Sequence, residues 1–486
     1  MPALDPTRPE NATGETVDFD VAVIGAGIVG CAMARRLTLD GAKVALIEKG
    51  HDVLSGASKG NSAILHTGFD APPGSLELQC VKAGHAEYQV LAKELGLPIL
   101  KSGALVLAWD ETQLETLPGL VEKAHKNGVP DVRMLSREEI LAREPHLSDH
   151  LLGGFEVPRE YLIDPWTSAH AYLHQAVLNG AELFTDTEVL EGTFSDGIWH
   201  LETNSSPIKA AQVINCAGLY GDIVDERLIG TKRFTITPRK GQFVVFDKIA
   251  SDLVKAILLP VPTKKTKGIV ICRTIFGNLL VGPTAEDQPS RTDASTNRES
   301  LMMLRDRGIE MIPKLADCEV TTAYAGLRPA SEFQDYQITF HDNQSYVTVG
   351  GIRSTGLTAA LGIASHISDK ISHEGFSDAP IETPILPELD RLSNYHPRDW
   401  QEPGNGGIVC HCELVTRREI ERVLDGPLPP NSPSGLKRRT RATMGRCQGF
   451  YCTAELTAMT EGRLKHPFSG NTCAKSKITD GGNTHE

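Results

Sequence analysis

The strongest constraint on this 486-residue chain lies within its first fifty residues. Phe19 to Ile24 is a short, apolar, β-branched run that reads as a buried parallel strand. Gly25-Ala26-Gly27-Ile28-Val29-Gly30 follows, a G-x-G-x-x-G turn, and Cys31 to Leu39 continues as a helix closed by Gly41. A second strand, Lys43 to Ile47, ends at Glu48, 18 residues beyond Gly30. Each part has a physical task. Gly25 makes the tight turn, Gly27 lets the backbone approach a pyrophosphate, and Gly30 allows close helix–strand packing. Ile28 opens the helix, whose N-terminus stabilises phosphate charge. Glu48 can accept hydrogen bonds from a ribose and disfavours a 2′-phosphate, so NADP is not expected. The unit alone leaves FAD and NAD open.

Three later segments favour FAD. Lys49 precedes a small-residue loop, Ser55-Gly56-Ala57-Ser58-Lys59-Gly60-Asn61-Ser62, suited to close approach by a cofactor. Val213 to Asn215 reads as a strand ending in Cys216-Ala217-Gly218, with Asp222 soon after, which fits a return to the same sheet. Tyr346 to Val349 ends in Gly350-Gly351 and leads through Ser354-Thr355-Gly356-Leu357-Thr358 into the apolar helix Ala359 to Ile371. That second helix N-terminus suits the electron-rich end of a reduced flavin.

Composition narrows the class. Charged residues at 23% and hydrophobic residues at 40% are those of a globular protein, not a collagen, coiled coil or disordered tail. The net charge of −13 argues against a nucleic-acid binder. Residues 1–17 are polar and lack the apolar core of a signal peptide, so they read as a disordered start. No run approaches the roughly 20 apolar residues that span a bilayer. A cytoplasmic protein is expected, at most peripheral at the inner face of the membrane. Five of the ten cysteines fall in residues 1–395 and five in the last 91. Residues 404–486 hold 12 Lys and Arg against 8 Asp and Glu, a net of +4, which leaves −17 for the rest. A small basic, cysteine-rich module follows a large acidic body.

The body, residues 18–376, resembles the D-amino-acid-oxidase-like (glycine-oxidase-like) flavoprotein superfamily. The resemblance rests on GAGIVG (25–30), GNSAILHTG (60–68), VINCAGLYGD (213–222), LLVGPTAED (279–287), YAGLRPA (324–330) and VGGIRSTGLTAA (349–360). Within the superfamily it is most similar to the anaerobic-type glycerol-3-phosphate dehydrogenase large subunits, with the L-2-hydroxyglutarate dehydrogenases next. The fold so implied is α/β: a Rossmann-like FAD-binding domain (about 18–80, 150–228 and 320–376) with an inserted α+β substrate cap (about 81–149 and 229–319). Within the cap, helices are expected at Leu78–Leu95 and Leu120–Asn127. Strands are expected at Ala104–Trp109, Phe234–Ile236, Gln242–Phe246, Gly268–Cys272 and Asn278–Val281.

Oxidation of an alcohol or amine by a flavin needs a group that takes the O–H or N–H proton. His66 is the best candidate for that base, since the resemblance places its loop beside the flavin ring; the other reading is a non-catalytic flavin neighbour. Arg328 and Arg353 flank the cofactor strands and are candidates for binding an anionic substrate, with structural ion pairs as the alternative. Arg239 and Lys240 are weaker candidates, and Lys264, Lys265 and Lys267 read as a solvated loop.

Residues 377–405 are proline-rich and read as an extended linker. Beyond it, residues 406–462 carry Cys410-x-Cys412 and Cys447-x4-Cys452, with a helix from Thr416 capped by Thr416 and Glu419. Four thiolates in two close pairs suit a [2Fe–2S] cluster or zinc. The glycine-bearing loops, whose N–H groups can bond sulfur, and five basic residues between Lys437 and Arg446 favour the cluster. VCHCE and KRRTRATMGRCQGFYC also resemble the bacterioferritin-associated-ferredoxin-like [2Fe–2S] domain. His411 is not needed as a ligand, and Cys473 in the polar tail 463–486 reads as free. The implied enzyme is a dehydrogenase of a small anionic 2-hydroxy compound. Glycerol 3-phosphate is favoured over L-2-hydroxyglutarate or another hydroxy acid, and an amino-acid or opine substrate comes third. Electrons would leave through FAD and the cluster to a quinone or partner redox protein. A hetero-oligomer with a second chain is an open expectation, with a basic face of Arg417, Arg418, Arg438 and Arg439 as its docking surface. A zinc-stabilised oxidase is the rival.

Overall fold

The computed structural model describes residues 17–262 and 268–468. The expectations for residues 1–16, for Lys264, Lys265 and Lys267, and for Cys473 lie outside the described residues.

Five parallel strands form the centre of an eight-stranded sheet. They are β1 (Phe19–Ile24), β2 (Val44–Ile47), β3 (Glu182–Phe184), β4 (Ile208–Asn215) and β5 (Tyr346–Gly350). Their spatial order is β3-β2-β1-β4-β5. β1 and β2 are buried along their whole length, which is why they read as continuous apolar runs rather than alternating ones. An antiparallel hairpin, Val189–Ser195 with Ile198–Thr203, extends the sheet. It turns on Asp196 and Gly197 (φ 53° and 82°), the left-handed pair that a tight hairpin needs.

Four helices cover one face: α1 (Ile28–Leu39), α2 (Leu76–Glu94), α3 (Pro165–Leu178) and α4 (Gly356–Ser368). α1 packs on α3 and α4, and α2 lies against α4. The α2–α4 contact is backbone to backbone. A Cβ on Gly84 would stand 2.0 Å from the Thr358 carbonyl oxygen, and one on Gly362 would stand 2.2 Å from that of Cys80.

A second, nine-stranded sheet forms the cap. Its longest pairing joins Thr237–Phe246 to Val320–Ala330, antiparallel. Side chains alternate between two cores: Phe243 and Val245 on one face, Val244 and Phe246 on the other. Three expectations need correction. Phe234–Ile236 is not a strand; Phe234 and Ile236 pack with Leu219 and Leu327 ahead of it. Gly153–Val157 and Val320–Ala330 belong to the cap sheet, not to the FAD-binding parts. The helix expected at Leu120–Asn127 runs over Glu111–Lys126, through Pro118, because the Asp110 carboxylate caps it by accepting the Gln113 N–H.

Residues 377–405 are not a free linker. The Asp378 and Ile381 N–H groups donate to the carbonyls of Gly41 and Leu39, Leu392 is buried in the cap core, and the Asn394 N–H donates to the Ile275 carbonyl. This strap enters the C-terminal domain at Arg398, whose guanidinium donates to the Glu413 carbonyl at 2.8 Å and faces Glu419 at 3.4 Å. That domain has a hairpin (Ile408–Cys410 with Val415–Thr416), the Arg417–Asp425 helix, α5 (Pro433–Thr440) and a Thr453–Met459 helix around its own core. The Thr416–Glu419 capping box is present. α5 docks on α3. On the cap side, the Arg441 guanidinium lies 3.8 Å above the Phe276 ring and Arg446 pairs with Asp247 at 2.7 Å.

Candidate active site and cluster site

The ends of β1, β2 and β4 meet in a cavity of about 620 Å³. The glycine turn is pressed against the β4 end: a Cβ on Gly25 would lie 2.7 Å from the Cys216 carbonyl oxygen, and one on Gly30 would lie 1.8 Å from that of Gly25. Gly25, Gly27 and Ile28 line the cavity, with Ala217 and Gly218 beside them. Glu48 is also in the wall, and its carboxylate accepts the N–H groups of Ala26 (2.8 Å) and Gly50 (2.7 Å). Burial raises its pKa, and those two bonds oppose the rise. Ser58 lines the cavity and accepts the Ile28 N–H at 3.0 Å; Lys49, Asn61 and Ser62 line it further along.

Two helix N-termini open on this one cavity. Gly27 is the N-cap of α1 and Thr355 that of α4; neither caps its helix with a side-chain hydrogen bond, and neither helix has an acid in its first turn. Gly356 and Leu357 of α4 line the wall. Two electropositive helix ends and a ribose-directed carboxylate fit a dinucleotide carrying a flavin. Gly30, Gly351 and Thr358 are not in the wall. Gly30 serves helix packing, Gly351 (φ 67°) makes the turn after β5, and the Thr358 hydroxyl accepts the His66 N–H at 2.9 Å.

His66 lines the same cavity, and its Nδ1 lies 2.8 Å from Glu160 Oε2. Glu160 is 0% exposed, and its Oε1 accepts the N–H (2.6 Å) and hydroxyl (2.8 Å) of Thr67. With Nδ1 turned to the Glu160 carboxylate, Nε2 is the ring nitrogen left for a ligand. The sequence reading missed Glu160. It stands 94 residues from His66 in a turn that reads as surface, and only the tertiary pairing buries it.

The two candidate anion-binding arginines differ. Arg353 lines the cavity but donates to the Gln334 carbonyl and lies 3.8 Å from the buried Glu77 carboxylate. Arg328 has only long contacts of 3.3 and 3.4 Å to the Thr284 carbonyl and no carboxylate partner among the described residues. Burial and the charge of Arg239 lower its pKa to about 10. Gly241 makes room for it, since a Cβ there would meet the guanidinium at 2.6 Å. Arg239 is held by both oxygens of Asp287 and Lys240 by Asp293. Lys59, within the small-residue loop expected to approach the cofactor, also lines the cavity.

The four cysteines converge as two pairs. Cys412 lies beside Cys447 and Cys452 beside Cys410, and the Cys452 thiol donates to the Gly449 carbonyl at 3.9 Å. The backbone N–H groups of the 449–451 turn, that of Tyr451 first, lower the pKa of the Cys447 thiol. A Cβ on Gly445 would stand 2.2 Å from that of Cys412. Among the described residues, the only three metal-ligating groups mutually within 4.8 Å are His51, Asp186 and His466. Two close thiol pairs suit the two irons of a [2Fe–2S] cluster, each iron taking two cysteines.

The basic residues of this domain do not form the expected docking face. Arg438 and Arg439 are buried and bind Val53 and Asp52 of the body, while Arg417 pairs with Glu455 and Arg418 with Asp399. Of the basic residues between 437 and 446, Arg441 binds Glu413 and Arg446 binds Asp247, with Arg446 also within electrostatic reach of Cys412.

These features define a flavin-dependent oxidoreductase with an appended iron–sulfur domain. A family model described as DAO, FAD dependent oxidoreductase, matches residues 20–370, and the chain belongs to this family. A second, the BFD-like [2Fe–2S] binding domain, matches residues 408–461. A glycerol 3-phosphate dehydrogenase of Caloramator mitchellensis is 35% identical over 90% of this chain and 92% of its own. A mitochondrial L-2-hydroxyglutarate dehydrogenase of Nematostella vectensis is 30% identical over 66% of this chain and 75% of its own. The solved structure of FAD-bound L-α-glycerophosphate oxidase from Mycoplasma pneumoniae superposes with a TM-score of 0.68, at 30% identity. That match covers 72% of this chain and 94% of the other. The cofactors are FAD and a [2Fe–2S] cluster. Among the described residues no helix is long and apolar enough to cross a membrane.

Proposed function

We propose that this enzyme is a dehydrogenase of a small anionic 2-hydroxy compound, with glycerol 3-phosphate as its substrate. The observation that carries the reading is Arg328, a cavity arginine with no carboxylate partner among the described residues, in the same cavity as His66 of the His66–Glu160 pair. A free guanidinium in an acidic body is a place for a phosphate or carboxylate. The glycerol 3-phosphate relative supports phosphate, and the L-2-hydroxyglutarate relative supports a carboxylate substrate as second choice.

Bound FAD supplies a two-electron hydride acceptor, and the cluster supplies one-electron steps. The chain's own residues do the rest. His66 Nε2 takes the substrate hydroxyl proton, while Glu160 fixes the tautomer and steadies the charged imidazole. Arg328 orients the substrate by its anionic end. Phe450 and Tyr451, 83% and 75% exposed, lie between Cys447 and Cys452 and offer an aromatic contact for an electron acceptor, a quinone or a redox protein. The test is anaerobic titration with glycerol phosphates, hydroxy acids and amino acids. Bleaching of the flavin by glycerol 3-phosphate supports the reading, and bleaching by an amino acid alone contradicts it.

A further inference from the structure

We propose that the C-terminal [2Fe–2S] domain is a structural part of the FAD site. In this proposal Arg438 and Arg439 are positioning residues that hold the 48–58 segment in its FAD-binding shape. FAD affinity therefore depends on the docked, cluster-loaded domain.

Three sets of contacts carry this. First, α5 lies directly on Asp52. The Asp52 carboxylate is 2% exposed; it accepts from Arg439 at 2.8 Å and from the Asn431 N–H at 2.9 Å. A Cβ on Gly435 would fall 1.6 Å from the Asp52 Oδ2, so no other residue fits the helix at that point. The neighbouring Arg438 donates to the Val53 carbonyl at 2.8 Å.

Second, the next residue touches the glycine turn. The Leu54 N–H donates to the Ala26 carbonyl at 3.0 Å, and the Ala26 N–H donates to Glu48. Leu54 has φ 60°, a left-handed backbone that a leucine keeps only where its surroundings force it. The Arg438 clamp on Val53 and the Ala26 contact supply that force from either side. Ser58, further along the same segment, accepts the Ile28 N–H at the start of α1.

Third, the domain grips the strand end beside this segment. Asn431 donates to the Thr185 hydroxyl at 2.8 Å, and Lys465 pairs with Asp186 at 2.7 Å. The Asp186 N–H donates to the Gly50 carbonyl and the Thr187 N–H to that of Glu48. Thr187 and Glu48 both line the cavity. The nucleotide end of the cavity is thus braced from outside by residues 431–439 and 465.

A domain held together by its metal ligands loosens when the cluster is lost. Coupling between two binding sites is reciprocal, so the cluster-loaded domain favours FAD and FAD favours the docked domain. The test uses the whole chain. Arg439→Met, prepared with normal iron and sulfide, is predicted to weaken FAD binding by about tenfold or more, read by recovery of fluorescence from released FAD. Arg439→Lys keeps a charge for Asp52 and is predicted to restore most of the affinity. The second measurement uses wild-type protein with its cluster intact. Adding FAD is predicted to slow amide hydrogen exchange in residues 431–441. Wild-type FAD affinity in Arg439→Met overturns the proposal. If that variant fails to take up iron, unchanged exchange in 431–441 on adding FAD overturns it instead.

Discussion

His66 Nδ1 and Glu160 Oε2 are 2.8 Å apart, and this contact joins the cavity wall to a carboxylate with no solvent exposure. His66→Ala is predicted to slow substrate reduction of the flavin by ~10²–10⁴-fold, the usual range for a general base. Glu160→Gln puts an amide where the carboxylate meets three donors, so the imidazole loses its fixed tautomer. A loss on the order of 10²-fold is expected, with FAD content unchanged. Stopped-flow flavin reduction checks both.

Arg328 is predicted to govern KM. Arg328→Met should raise KM for an anionic substrate by about 30-fold or more, with a smaller effect on kcat. The binding form is the charged one, and burial lowers the pKa to about 10. Affinity should therefore hold below that pH and fall as pH rises through it, well before an ordinary arginine would titrate. KM measured from pH 8 upward, in wild type and Arg328→Lys, checks this.

How much of this was legible in the sequence depends on the range of the interactions. The glycine turn, Glu48 and the Thr416–Glu419 box are local patterns whose geometry follows from spacing within about 20 residues of chain. The cysteine pairs were legible because few residue types bind metal. Glu160 was not, since nothing near it in the chain marks a buried partner for His66. Arg438 and Arg439 read as a solvated basic face because charge runs usually are, yet their partners, Asp52 and Val53, lie more than 380 residues earlier. The strap read as a linker because many of its attachments are backbone hydrogen bonds, which composition does not display.

Gly445 is predicted to be intolerant of any side chain. In Gly445→Ala the new Cβ would stand 2.2 Å from that of Cys412, which must shift. Iron and acid-labile sulfide per chain should fall below wild type, with the visible cluster absorbance falling in step.

Acid stability is set partly by α3. His174 is half-buried, its Nδ1 has no partner among the described residues, and burial lowers its pKa from 6.5 to about 4. The folded state thus binds its proton less readily than the unfolded chain. The contribution to stability is complete above about pH 6.5 and is lost as pH falls toward 4. It amounts to ~3 kcal/mol. His174→Gln should flatten the decline of Tm across this window, as measured by calorimetry.

The most direct test of the central claim, that a substrate alcohol reduces FAD and the electrons leave through the cluster, is anaerobic mixing of the holoenzyme with glycerol 3-phosphate. The flavin band at roughly 450 nm and the low-temperature electron paramagnetic resonance of the cluster are followed together. The account predicts that the flavin bleaches first and that the signal of a reduced [2Fe–2S] cluster then appears. A flavin that stays oxidised, or a cluster that never takes an electron from a bleached flavin, would contradict it.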